Sequence, residues 1–174
     1  MFDKFGEFNS VEELNAAAAG FLKEWDEESI FALAQENGLE REDAEDYVDG
    51  IMPELATRKE AALGRLAIQR EHIVKNNKDM AERMAYGVML SMLQTMCTEE
   101  KMAEAVMQKG KTVEDIYKAM REEAGKHASG TGQNRYAVSC GTDQELREII
   151  RAYYLEPKKL KHRIAALYVI GEES

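Results

Sequence analysis

Apolar residues at helical spacing dominate the chain. Ser10-Val11-Glu12-Glu13 opens the first such stretch as a capping box. The Ser10 hydroxyl is placed to accept from the Glu13 N–H, and the Glu13 carboxylate to reach back to Ser10. Val11, Leu14, Ala17, Ala18, Phe21 and Leu22 then share one face, which predicts a helix to about Glu24. Asp26 is the expected cap of a second helix running to Gln35 and buried through Ile30, Leu33 and Ala34. Asn37-Gly38 stops it, because glycine enters the left-handed region cheaply. A short third helix is expected over residues 40–49, ending at Gly50.

Pro53 resets the chain, and the pattern beyond it predicts a long helix over residues 53–74. Asn76-Asn77-Lys78 breaks that helix, with Asp79 as the next cap. Residues 80–96 carry Met80, Met84, Met89, Met92 and Met96 among Val88, Leu90 and Leu93. That composition suits a methionine-filled core helix or an adaptable partner groove. Thr98, before Glu99-Glu100, and Thr112, before Val113-Glu114-Asp115, both read as caps. The helix from Thr112 should reach about His127, with Val113, Ile116, Tyr117, Met120 and Ala124 on its apolar face. Residues 128–134 read as a loop.

The texture then changes. Tyr136-Ala137-Val138-Ser139-Cys140 has the length and composition of a strand, bounded by Gly141. Thr142-Asp143 caps a helix carrying Leu146, Ile149, Ile150 and Tyr153, which Pro157 ends. Residues 160–170, with Ile164, Leu167, Val169 and Ile170, fit a short strand or a final helix equally well. The predicted fold class is mainly α. It has acidic N-terminal helical hairpins, a helical core and a small α+β C-terminal part with one or two short strands. The expected division is an acidic helical region, 1–52, and a helical core with the C-terminal α+β element, 53–174.

Charge sharpens this division. The net charge of −10 is unevenly spread: residues 1–57 hold 16 acids and 3 bases, whereas the remainder holds 17 acids and 20 bases. Such asymmetry points to an interaction surface. At 174 residues the chain is long enough to bury a core without staples. Cys97 and Cys140 lie far apart. Met1-Phe2-Asp3-Lys4 lacks the basic-then-apolar pattern of a secretory leader, and no run is long enough to span a membrane. The expectation is a cytoplasmic protein with two free thiols.

Residues 30–50 have helix-turn-helix spacing. Leu33 and Ala34 pack the first helix, Gly38 makes the turn, and Leu39, Ala44 and Val48 bury the second. In a DNA reader the second helix enters the major groove. Here it carries Glu40, Glu42, Asp43, Glu45, Asp46 and Asp49 against the single base Arg41. Duplex phosphates, at about one charge per 1.7 Å, repel such a face. It reads as the solvated side of a helical hairpin or as a surface made for a basic groove, and charge complementarity would speed the second encounter. A smaller basic run, Lys158, Lys159, Lys161 and Arg163 with His162 among them, suits a nucleic-acid or other anionic contact, or pairing within the chain.

The residues offer little for catalysis, and the expectation is a protein that is not an enzyme and needs no cofactor. His72, His127 and His162 form no zinc motif, and no Cys-x-x-Cys occurs. Glu123 and His127 are spaced for a one-turn surface contact. Gly130-Thr131-Gly132 lacks the Gly-Lys-Ser/Thr of a phosphate loop, and Ser139-Cys140-Gly141 has no base beside it in sequence.

One stretch carries a family texture. Lys111-Thr112-Val113-Glu114-Asp115 opens a helix, and a glycine-containing loop leads to Ala137-Val138. Asp143 and Glu145 then open a helix ending in Ala152-Tyr153-Tyr154. This resembles PcfK-like proteins, accessory proteins of conjugative elements and phages, over residues 111–155. The opening Met1-Phe2-Asp3-Lys4-Phe5-Gly6-Glu7-Phe8 is similar to uncharacterised mobile-element proteins of Firmicutes. The resemblance implies a phage or mobile-element setting, and inhibition of Cas9 as an anti-CRISPR protein, since some of the family act so. The partner expected on that basis is a basic nucleic-acid-binding protein such as Cas9. An acidic adaptor or antitoxin for another basic protein is the alternative, as is a nucleic-acid binder using the basic run.

Overall fold

The computed structural model describes residues 2–128 and 141–168. The chain forms two compact units, Met1–Lys111 and Thr112–Ser174. Among the described residues the secondary structure is helical throughout, with no strand.

The first unit holds α1 (Val11–Lys23), α2 (Glu27–Glu36), α3 (Arg41–Val48), α4 (Arg58–Asn76), α5 (Met80–Met96) and α6 (Glu100–Val106). Side-chain caps fix most of the starts. Ser10 accepts from Glu13 N, Asp26 from Ser29 N, and Asp79 from Ala81 N and Glu82 N. The Glu13 carboxylate reaches Asn9 N at 2.8 Å, one residue earlier than the capping-box pattern expects.

Two expected starts move. The helix predicted from Pro53 begins five residues later, where Thr57 and Glu60 form a reciprocal capping box. Two hydrogen bonds between the Asn15 side chain and the Ala56 backbone hold the preceding loop off helical geometry, while Leu55 and Ala56 are buried. Thr98 does not cap α6. Its hydroxyl donates back to Thr95 O at 3.0 Å, and Glu99 takes the N-cap position without a side-chain capping bond.

One core ties α1, α2 and α3 to the loop before α4, to α4 itself and to the end of α6. Leu14, Ile30, Leu33, Ala34, Leu39, Ala44 and Tyr47 pack with Leu55, Ala56, Ala61 and Met107. Residues on both sides of position 52 thus share a core, and each fully buried leucine or isoleucine contributes about 2 kcal/mol. α4 packs against both α5 and α6. Gly38, at φ 70°, lies directly on Gly64 of α4, an approach that only glycine at both positions permits.

The N-terminal segment is strapped down by polar contacts. Lys4 N and Phe5 N donate to the Glu36 carboxylate. Arg65 is 2% exposed. Its guanidinium donates to Glu7 at 2.5 Å and to Phe8 O at 2.6 Å, and lies 4.9 Å from the Phe2 ring centroid. Glu7 also accepts from Gly110 N. Two acids of the N-terminal block, Glu7 and Glu36, therefore serve the fold.

The second unit holds α7 (Val113–Lys126), α8 (Asp143–Leu155), a 3-10 turn (Pro157–Lys159) and α9 (Leu160–Ala166). Thr112 caps α7, and Thr142 with Glu145 forms a capping box on α8. The Tyr153 hydroxyl braces the first cap, donating to Asp115 Oδ2 at 3.0 Å and accepting from Thr112 N at 3.3 Å. Of the two readings of residues 160–170, a helix forms over 160–166, with Ile164 buried. The strand expected at 136–140 lies outside the described residues, as do Gly130-Thr131-Gly132 and Cys140.

Candidate partner-binding surface

α3 has two faces because its apolar residues are few and spaced. Ala44 and Tyr47 turn into the core and Val48 packs partly against it, which leaves most of the acidic positions to solvent. Glu40, Glu42, Glu45, Asp46 and Asp49 are exposed and Asp43 is half-buried. Arg41, the one cation in this stretch, donates from Nε to Glu45 at 2.7 Å and stacks over Phe31 with its guanidinium carbon 4.9 Å from the ring centroid. A shallow groove of about 500 Å³ lies beside it, lined by Phe31, Ala32, Gln35, Leu39 and Arg41 among others. Its lining is mostly apolar, with Glu28 and Arg41 as the charged members.

The acidic character extends to the junction of α1 and α2. Glu24, Glu27 and Glu28 are exposed there, and between them stands Trp25, 87% exposed. The helical pattern gave no reason to single out Trp25. Its signal in the sequence is an aromatic residue in a run of acids, at a helix end where glycine is usual.

Glu12, also of the block, is engaged elsewhere. Arg58 gathers Glu12 at 3.0 Å, Glu104 at 3.1 Å and Glu100 at 3.5 Å. These acids, chiefly Glu12, push the Arg58 pKa above its ordinary value. The carboxylates so engaged are partly neutralised toward any visiting cation.

The basic run is divided. Arg163 pairs with Glu148 at 2.7 Å and Lys159 with Glu156 at 2.5 Å, both within the second unit. Lys159 holds the Glu156 carboxyl below its usual range. Lys158 and Lys161 are exposed. Lys159 and Arg163 are exposed as well, so these surface pairs screen the run only in part.

The methionine-rich helix α5 has a buried side and an exposed side. Met89 and Met92 are buried with Leu90 and Leu93, whereas Met80, Met84 (67% exposed) and Val88 line the outer side and Met96 is half-buried. Cys97 is buried, and desolvation raises its thiol pKa to about 11, which makes it a poor nucleophile near neutrality. Glu123 lies 3.7 Å from His127 and 2.5 Å from Lys126, and the His127 ring stacks on Tyr168 with centroids 4.4 Å apart. Among the described residues, no group of three or more His, Cys, Asp or Glu side chains is placed to hold a metal, and no helix is long and apolar enough to cross a membrane. Compared with family models, curated proteins and solved structures, the chain matches none.

Proposed function

We propose that this chain is an interaction protein of a phage or mobile element, and that it places the acidic face of α3 against a basic nucleic-acid-binding surface of another protein. Cas9 is the candidate partner, which makes anti-CRISPR inhibition the specific form of the proposal. The observation that carries it is the exposure of Glu40, Glu42, Glu45, Asp46 and Asp49 together, with Arg41, the one base of that stretch, tied to one of them. An effector nuclease holds its guide and target in a positively charged channel. A row of carboxylates on a short rigid helix is a competitor for such a channel. It is a poor ligand for DNA itself. A regulatory adaptor or antitoxin would use the same face toward a different basic protein. Direct nucleic-acid binding through Lys158, Lys159, Lys161 and Arg163 is the weaker reading, because Lys159 and Arg163 already pair with carboxylates.

The test is a pull-down of Cas9 with and without guide RNA, followed by a cleavage assay. Inhibition that is weakened by salt, and lost when Glu42, Asp43, Glu45 and Asp46 are reversed in charge, is the expected result. Undiminished cleavage at excess protein sinks the Cas9 reading.

A further inference from the structure

The first three helices end in the same way. Just past each C-cap, one residue takes a left-handed conformation and donates its N–H three residues back. The next residue donates five back. Trp25 donates to Leu22 O and Asp26 to Phe21 O. Gly38 donates to Gln35 O and Leu39 to Ala34 O, and Gly50 to Tyr47 O and Ile51 to Asp46 O. Glycine suits this position because a β-carbon crowds the backbone there. α2 and α3 follow the rule with Gly38 and Gly50, while α1 places Trp25 there at φ 58°.

The ring is not held there by the fold. Trp25 is 87% exposed, so packing does not offset its conformation. A bulky aromatic kept in solvent at a glycine position is best explained by a contact with something outside the chain. The surroundings name the chemistry. Glu24, Glu27 and Glu28 flank Trp25 and are exposed. An indole face among carboxylates complements a guanidinium, which stacks on aromatic rings while its N–H groups pair with acids. Arg41 over Phe31 and Arg65 over Phe2 show the same stacking within this chain. Another exposed apolar stripe, Met80, Met84 and Val88 on α5, has Glu82 and Arg83 within it, so charge selects no occupant there.

We infer that Trp25 is an anchoring contact of the acidic surface, and that it receives an arginine-bearing basic segment of the partner protein. The arginine side chain lies on the indole and is neutralised by Glu24, Glu27 and Glu28. This rests on the reading that the acidic surface meets a basic protein.

Trp25 is the only tryptophan in the chain, so its intrinsic fluorescence reports on this one site. The full chain is titrated with a short oligo-arginine peptide and with oligo-lysine of equal length. Calorimetry gives the affinity and tryptophan emission the location. Oligo-arginine is expected to bind more tightly than oligo-lysine and to change the emission. Trp25→Gly is expected to weaken oligo-arginine about tenfold, as loss of one desolvated cation–π contact would. Trp25→Phe should restore part of the affinity, and Glu24→Gln/Glu27→Gln/Glu28→Gln should weaken it. Circular dichroism confirms that each variant stays folded. If oligo-arginine binds with unmoved emission and equal affinity for Trp25→Gly, the anchor is wrong while the acidic-surface reading stands. Equal affinity for the two peptides overturns the arginine assignment. If neither peptide binds even at low salt, the acidic-surface reading falls and the anchor with it.

Discussion

Gly38 and Gly64 meet backbone to backbone. A β-carbon on Gly38 would lie 2.5 Å from the Gly64 carbonyl oxygen, and one on Gly64 would run into the Asn37 carbonyl. The α2–α3 turn can therefore sit on α4 only because both residues lack a side chain. Asn37 supports the same contact, as its buried side chain donates to Leu33 O at 2.9 Å.

Alanine at either glycine should destabilise the first unit. The obstructing atoms are backbone and have no rotamer by which to withdraw, so α2–α3 must lift from α4. Overpacking of this kind costs about 1–3 kcal/mol. Gly38→Ala adds left-handed strain of about 1 kcal/mol and should be the worse of the two. Urea titration followed by circular dichroism measures the midpoints. A midpoint for Gly64→Ala equal to that of the parent would show that the turn does not rest on α4.

Trp25→Gly should move stability the other way. Relief of the left-handed strain outweighs the added freedom of the unfolded glycine, for a net gain of about 0.5–1 kcal/mol. For a chain of this size that is a rise in Tm of about 2 °C. Differential scanning calorimetry reads it. A fall in Tm would mean that the ring has a packing role its exposure does not reveal.

The pair Arg65 and Glu7 is asymmetric, and so should be its mutants. The Arg65 side chain is 1% exposed and that of Glu7 28% exposed, across a 2.5 Å contact. Glu7→Ala removes the nearest carboxylate from a desolvated guanidinium and an acceptor from Gly110 N, and should cost about 3 kcal/mol. Arg65→Met leaves Glu7 access to water and should cost about 1 kcal/mol. The double variant should resemble Arg65→Met alone, because no buried cation remains. A double-mutant cycle in urea gives the coupling. Additive losses would contradict the account.

How far each feature was legible in the sequence depends on the range of the interaction behind it. The caps Ser10, Asp26, Asp79, Thr112 and Thr142 were readable because each bonds within three residues of itself. Pro53 misled because proline marks a break without fixing where the next helix starts. That start is set by Thr57 and by Asn15, which lies forty-one residues from Ala56. Gly64 and Arg65 carry no mark of their own in the helical pattern of residues 53–74. Their partners Gly38 and Glu7 are distant in sequence, so no local pattern announces them. The acidic face of α3 was legible because exposure there is the complement of Leu39, Ala44 and Val48, to which the structure adds Tyr47 as a buried residue. Trp25 was missed because a hydrophobic pattern ranks residues by what they bury, and this one buries almost nothing.

Tyr153 should give the second unit a distinctive alkaline weakness. Burial raises its pKa to about 12, and the nearby Asp115 carboxylate acts in the same direction, partly opposed by the Thr112 N–H. In the unfolded chain the phenol ionises near 10. Below about pH 10 the group is protonated in both states, so its contribution is fully present. Between about 10 and 12 the unfolded state loses the proton while the folded state retains it, so stability falls with rising pH. Tyr153→Phe should remove this component of the alkaline slope. It should also lower stability at neutral pH by about 1 kcal/mol, since Asp115 Oδ2 and Thr112 N lose a shared partner. Urea midpoints for parent and variant, measured at neutral pH and at several values from about 9 to 12, should converge as pH rises. Parallel curves would show that the Tyr153 hydroxyl does not brace the α7 cap.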